Sequence, residues 1–142
     1  MKVFLFLDDS PERNGEEYMR ALIDALDKYI FVYLSFDRVD TVRNYNEFVE
    51  YIEKNGLPSF ISFDHDLSNE HYNEFFKADR EKRNLNYSQF KEKTGLDCAK
   101  FLVEYCEKNN LSIPDYYVHS HNYIGKQNII SYLESYKKSK NG

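Results

Sequence analysis

Short apolar runs punctuate a mostly polar chain, and three of them end in acids or histidines. Val3-Phe4-Leu5-Phe6-Leu7 leads into Asp8-Asp9, Phe60-Ile61-Ser62-Phe63 into Asp64-His65-Asp66, and Tyr116-Tyr117-Val118 into His119-Ser120-His121. Runs of this length, rich in β-branched and aromatic residues and bounded by polar groups, predict buried strands. In open α/β sheets ligands bind outside the carboxyl ends of the strands. The three polar clusters are therefore expected to converge on one edge.

The segments between the runs carry helical spacing. Ser10-Pro11-Glu12-Arg13-Asn14-Gly15 is turn chemistry, and Tyr18, Leu22, Ile23 and Leu26 predict a helix through about Lys28. The apolar-aromatic run Ile30 to Phe36 predicts a second strand, and Tyr45, Phe48, Val49 and Ile52 a second helix that stops near Asn55-Gly56, with Pro58 beyond it. Strand three is expected over Ser59 to Phe63. Strands alternating with helices, joined by connections too long for hairpins, predict a parallel sheet with right-handed crossovers.

Ser68 to Lys93 breaks this rhythm. A mostly polar insert of this length inside a compact domain reads as a partly helical flap beside the carboxyl end of the third strand. Its charged run Lys77-Ala78-Asp79-Arg80-Glu81-Lys82-Arg83 offers little to bury, which predicts a flap that opens in the absence of ligand. Thr94-Gly95-Leu96-Asp97 then has capping-box spacing, and Leu96, Ala99, Val103 and Cys106 mark a third core-facing helix. Strand four is expected over Tyr116 to His119, and Ile129, Ile130, Leu133 and Tyr136 claim the remaining residues for a last helix. No internal repeat or linker interrupts the pattern.

Length and charge narrow the function classes. A chain of 142 residues reads as a single domain, 1–142 with the insert at about 68–93, able to bury a core without disulfides. Cys98 and Cys106 fall on one predicted helix, roughly 12 Å apart along its axis, and no Cys-x-x-Cys pair exists. A reducing, cytoplasmic location is expected. The apolar stretch at the start is too short for a signal peptide, and no run is long enough to span a membrane. The net charge is −5, with acids and bases interspersed except in the Lys137-Lys138-Ser139-Lys140 tail. That balance argues against avid binding of duplex nucleic acid, which needs several phosphates neutralised together. Heavy use of Tyr, Phe, Asn and Lys is the bias AT-rich coding produces, so a viral or low-GC bacterial source fits.

Adjacent carboxylates raise one another's pKa unless a cation neutralises them. Asp8 and Asp9, with Asp64 and Asp66 brought in from the third strand, offer the hard oxygen ligands that Mg²⁺ or Mn²⁺ prefers. His65, His119 and His121 would equally suit Mn²⁺, Zn²⁺ or Fe²⁺. An Asp-Asp pair after a strand is, on its own, as often a helix cap with a solvated neighbour. The repetition of such clusters favours a shared site. His71, in the insert, reads as a solvated surface histidine. Arg13, Lys126 and Asn122 are candidate anion contacts, the last at a helix start whose free amides could hold a phosphate oxygen; capping by Asn122 or Ser120 is the alternative.

With these residues placed, the chain resembles the cyclic-phosphate-processing receiver-like domains of the receiver superfamily. The resemblance rests on Leu7-Asp8-Asp9 with Arg13, Phe63-Asp64-His65-Asp66-Leu67, Thr94-Gly95 opening a helix, and Val118-His119-Ser120 with Asn122 and Gly125. It implies a flavodoxin-like three-layer sandwich, here with a mainly parallel four-stranded sheet. In that layout Asp8 and Asp9 hold a divalent cation, Asp64 occupies the phosphoacceptor position and Ser120 the hydroxyl position after the fourth strand. A signalling receiver has a fifth strand ending in lysine, for which this chain leaves no room, so Lys126 would substitute from the last helix.

The expected activity is that of a metal-dependent phosphoesterase or cyclic-phosphate-processing enzyme acting on nucleotides or RNA ends. Asp8, Asp9, Asp64 and Asp66 would hold Mg²⁺ or Mn²⁺. Arg13, Asn122 and Lys126 would bind the phosphate, and His65, His119, Ser120 and His121 would carry the chemistry. The alternative is a phosphate-sensing or protein-binding receiver module without turnover.

Overall fold

The computed structural model describes residues 1–25, 36–86 and 93–141. In chain order its elements are β1 (Val3–Leu7), α1 (Gly15–Ala25), β2 (Arg38–Val42), α2 (Tyr45–Asn55), β3 (Phe60–Phe63), α3 (Asn69–Glu81), α4 (Gly95–Lys108), β4 (Asp115–Val118) and α5 (Tyr123–Asn141). The strands pair in the order β2-β1-β3-β4, and every pairing is parallel.

All five residues of β1 are buried, as a central strand covered on both faces requires. Successive side chains point to opposite faces of a sheet, and the core divides accordingly. Leu5, Leu7, Val42, Ile61, Phe63 and Val118 pack with Phe48 and Ile52 of α2, Leu102 and Cys106 of α4, and Ile129 and Leu133 of α5. Phe4, Phe6 and Phe60 turn the other way, onto Tyr18, Met19 and Leu22 of α1. Each large side chain so buried contributes about 1.5–3 kcal/mol, and that burial holds β1 at the centre. Among the described residues no helix is long and apolar enough to cross a membrane.

The capping signals act as the residues dictate. Asn44 accepts from the Glu47 amide at the start of α2, and Gly56, at φ 80°, ends that helix by donating to the Ile52 carbonyl. Thr94 and Asp97 form the reciprocal capping box of α4. Within it, Gly95 packs so closely on the end of β3 that a Cβ there would overlap the Asp64 carbonyl oxygen.

Two expectations need correction. Among the described residues the second strand, beside β1, is Arg38–Val42, where the sequence placed it at Ile30 to Phe36. Of that run only Phe36 lies within the described residues; it is not strand, and its ring packs on Phe4 and Phe60. Among the described residues β2 is an edge strand whose polar side chains, Arg38 ion-paired to Asp40, stay partly in water, so it carries no continuous apolar run. The insert also buries more than its charge suggested. Phe75 and Ala78 of α3 are buried, and Glu74 is clamped by two hydrogen bonds from the Arg83 guanidinium, at 2.7 and 2.8 Å.

Candidate metal and phosphate site

Register assembles the site. Leu7 lies beside Val42 and Phe63, and Phe63 beside Val118, so the residues that follow, Arg43, Asp8, Asp64 and His119, form the next row across the sheet. Backbone bonds extend the ladder into that row: the Asp8 amide donates to the Val42 carbonyl, Asp64 to Leu7 and His119 to Phe63. By the alternation of the pleat, Asp8, Asp64 and His119 point away from the Leu7 face, toward the side of α1. One ligand atom from each of these three lies within 4.8 Å of the others.

The Asp8 carboxylate is fully buried, and both of its oxygens accept hydrogen bonds. It accepts from the Ser10 amide at 2.9 Å, from Arg13 at 3.0 Å and from His119 Nε2 at 2.9 Å. Burial alone would raise the Asp8 carboxyl; the bonds from His119, Ser10 and Arg13 outweigh it and hold the group below its ordinary value. Burial lowers His119 against the pull of that same Asp8 bond, so the ring is neutral near pH 7. A neutral imidazole that donates from Nε2 must accept at Nδ1, and the Ser62 hydroxyl stands 2.7 Å from Nδ1 to donate. The ring itself stacks on Phe6, with centroids 4.9 Å apart.

Asp64 is the group under electrostatic stress. Burial first, then the charges of Asp8 and Asp9, push its carboxyl up to about 8, with Arg13 opposing. Its protein contacts are long: Tyr72 of α3 donates from 3.4 Å, and Arg13 lies 3.8 Å away. Asp9 is raised as well, by burial and by Asp8, and its Oδ1 is a buried atom with no hydrogen-bond partner among the described residues. Arg13 brings one positive charge to a cluster that carries up to three negative ones. A divalent cation would fit this donor set of hard carboxylate oxygens and an imidazole.

Sequence reasoning missed two residues. Arg43 donates to the carbonyls of Asp8, Ser10 and Arg13, and so fixes the loop that carries Asp8 and Asp9. The alternation of Arg38-Val39-Asp40-Thr41-Val42 would have revealed it as a strand-end residue, but the more apolar run upstream masked that signal. Ser62 lay inside an apolar run and gave no signal at all. Removing its hydroxyl in Ser62→Ala leaves a buried acceptor on His119, and we expect a loss of about 1–3 kcal/mol in stability. Urea unfolding measures this, and an unchanged midpoint would mean that Ser62 does not support the ring.

The other sequence-predicted residues divide into two groups. His65, Asp66 and Asn122 are buried and bonded to one another: His65 Nδ1 donates to Asp66 at 2.8 Å, and Asn122 donates to both Asp66 oxygens. The Asn122 side-chain oxygen, Oδ1, also accepts from the Gly125 amide, capping α5, and a Cβ at Gly125 would strike the His65 ring. This cluster locks the start of α5 to the end of β3. Ser120, His121 and Lys126 line a cleft beside His119 instead. Arg13 and Asp9 line a separate polar cavity of about 620 Å³ with Arg43 and Tyr72. His71 corrects the expectation of a surface residue. It is fully buried and accepts the Leu67 amide at Nδ1, because α3 turns that face inward.

A parallel α/β sheet with acids after its first and third strands and a hydroxyl after its fourth defines a receiver-type domain. The chain belongs to the cyclic-phosphate processing receiver domain family, whose model matches residues 3–135. Among solved structures it is similar to the signal receiver domain of a protein assigned as a Luxo repressor from Vibrio parahaemolyticus. That likeness is 12% in identity, covers 98% of this chain and 95% of the other, and has a TM-score of 0.38. No curated protein matches the chain significantly.

Proposed function

We propose that the protein is a metal-dependent phosphoesterase that opens cyclic phosphates on nucleotides or RNA ends. The observation that supports this most is the row Asp8, Asp64 and His119, with ligand atoms within 4.8 Å and one carboxyl pushed up to about 8 by burial and by the charges of its neighbours. Asp8 and Asp64 would hold Mg²⁺ or Mn²⁺, with Asp9 offering a further oxygen, and His119 would join them through Nε2 once its proton moves to Nδ1, where the Ser62 hydroxyl accepts it. When bound, the cation supplies Lewis acidity toward a phosphoryl oxygen and a coordinated water of lowered pKa.

The chain's own groups do the rest. Arg13, a cation held in place by Asp8, stabilises negative charge as it develops on the phosphate. The Ser120 hydroxyl, which accepts from the Asn122 amide, still has its proton to donate to a phosphate oxygen. In the hydrolysis, water's oxygen bonds to phosphorus, one ester P–O bond breaks, and a proton passes to the departing sugar oxygen. His121, exposed at the rim, is the histidine free to carry that proton. His65, sealed between Asp66 and Gly125, serves architecture.

The experiment is a Mn²⁺ titration followed by thermal unfolding, then hydrolysis of a nucleoside 2′,3′-cyclic phosphate in saturating Mn²⁺. We expect a metal-dependent rise in Tm and metal-dependent release of a phosphomonoester. A Tm rise without any release of monoester would replace the phosphoesterase with a phosphate-sensing module. No metal response at all would sink both the metal site and the hydrolysis.

A further inference from the structure

β4 is an edge strand among the described residues, and α5 leaves its end to pack on the Leu7 face. Among the described residues the opposite face beside β4 has α1 as its neighbour, and a cleft of about 330 Å³ opens there. Tyr18 and Leu22 of α1 and Tyr117 of β4 give it apolar and aromatic walls, with Ser120, His121 and Lys126 at its polar rim. Tyr117 is 43% exposed, and the Lys126 ammonium lies over its ring, 5.4 Å from the centroid. Ser62 and His119 also line the cleft, so it reaches to within one side chain of Asp8.

An aromatic-walled recess with a cation at its rim, joined to a phosphate site, is the complement of a flat ring carried on an anionic ester. We infer that this cleft binds the base of the terminal nucleoside, stacked on Tyr117, while the attached phosphate lies at Ser120 and the Asp8–Asp64–His119 row. The inference rests on the phosphoesterase reading for the position of the phosphate, but not for turnover. The volume admits one nucleoside. Recognition is then of a single nucleoside and its phosphate, with Lys126 adding a positive charge at the mouth.

The test is equilibrium binding by calorimetry to the full chain in saturating Mn²⁺, with two probes. One is adenosine 3′-phosphate, a monoester that the proposed ring opening does not consume, and the other is the matching methyl ribofuranoside 3-phosphate, which lacks the base. Stacking on an aromatic side chain predicts at least about tenfold tighter binding of the adenosine ester. Tyr117→Ala should remove most of that ratio and Tyr117→Phe should keep it. Tyr117 is exposed, so neither variant threatens the fold, and the metal-induced Tm rise should be unchanged in both. Equal affinity for the two probes, no binding of either, or a ratio untouched by Tyr117→Ala would overturn the cleft's role. Binding with the expected ratio but no hydrolysis would sink the phosphoesterase reading and leave the cleft standing. Hydrolysis of the two corresponding 2′,3′-cyclic esters with equal kcat/KM, with equal affinity for the two monoesters, would do the reverse.

Discussion

At pH 7, binding of one Mn²⁺ ion should release about one proton, because the protonation states of the three row residues are set apart by their surroundings. Asp8 is already ionised, held low by His119, Ser10 and Arg13 despite its burial, and His119 is already neutral through burial. Only Asp64, pushed up to about 8 by burial and the charges of Asp8 and Asp9, still carries a proton to lose. The apparent metal affinity should therefore rise about tenfold per pH unit up to about pH 8 and level off above it. Calorimetry in two buffers of different ionisation enthalpy counts the proton directly. A pH-independent affinity with no proton released would show that Asp64 is not a ligand.

The same carboxyl has the opposite consequence for the metal-free fold. Its folded pKa lies above the unfolded value, so between about pH 4 and pH 8 the native state holds a proton that the unfolded chain has released. Stability contributed by this group is full below about pH 4, falls as pH rises, and is lost above about pH 8. Mn²⁺ should reverse that slope.

The second large effect is a pair of substitutions that separate ligand from proton carrier. Asp64→Asn keeps the shape and removes the charge. It should leave the metal-free protein at least as stable at pH 8, yet abolish the metal-induced stabilisation, about 2.7 kcal/mol at a hundredfold excess over Kd, together with turnover. Stabilisation that survives in Asp64→Asn would place the cation elsewhere. His119→Ala removes a ring that bridges Asp8 and Ser62 and stacks on Phe6. If His119 is a ligand, the metal-induced rise in Tm disappears with it. A retained rise with turnover down about a hundredfold to ten-thousandfold would make His119 the proton carrier instead.

The sequence by itself determined the strands that matter most and the residues at their ends. β1 and β3 are buried on both faces, so their apolar runs are unbroken and legible, and the acids that stop them are the acids of the row. The capping box at Thr94 and the helix stop at Gly56 were equally legible, because caps are written in adjacent residues. Membership of the receiver family was readable for the same reason: its marks follow individual strands, whatever lies beside them.

Only the tertiary structure decided which of those strand-end residues meet. A strand's side chains alternate between faces, and which residues of two strands stand side by side depends on the parallel register. That register puts Asp8, Asp64 and His119 together and sends His65 and Asp66 inward to Asn122. It also brings in Arg43, from an edge strand whose solvated side chains hid it among polar residues. His71 became a core residue only because α3 turns that side inward. The cleft beside Tyr117 arose because α5 follows β4 directly and packs on the other face of the sheet. Adjacency along the chain records each strand and cap, while adjacency across the sheet is settled by packing.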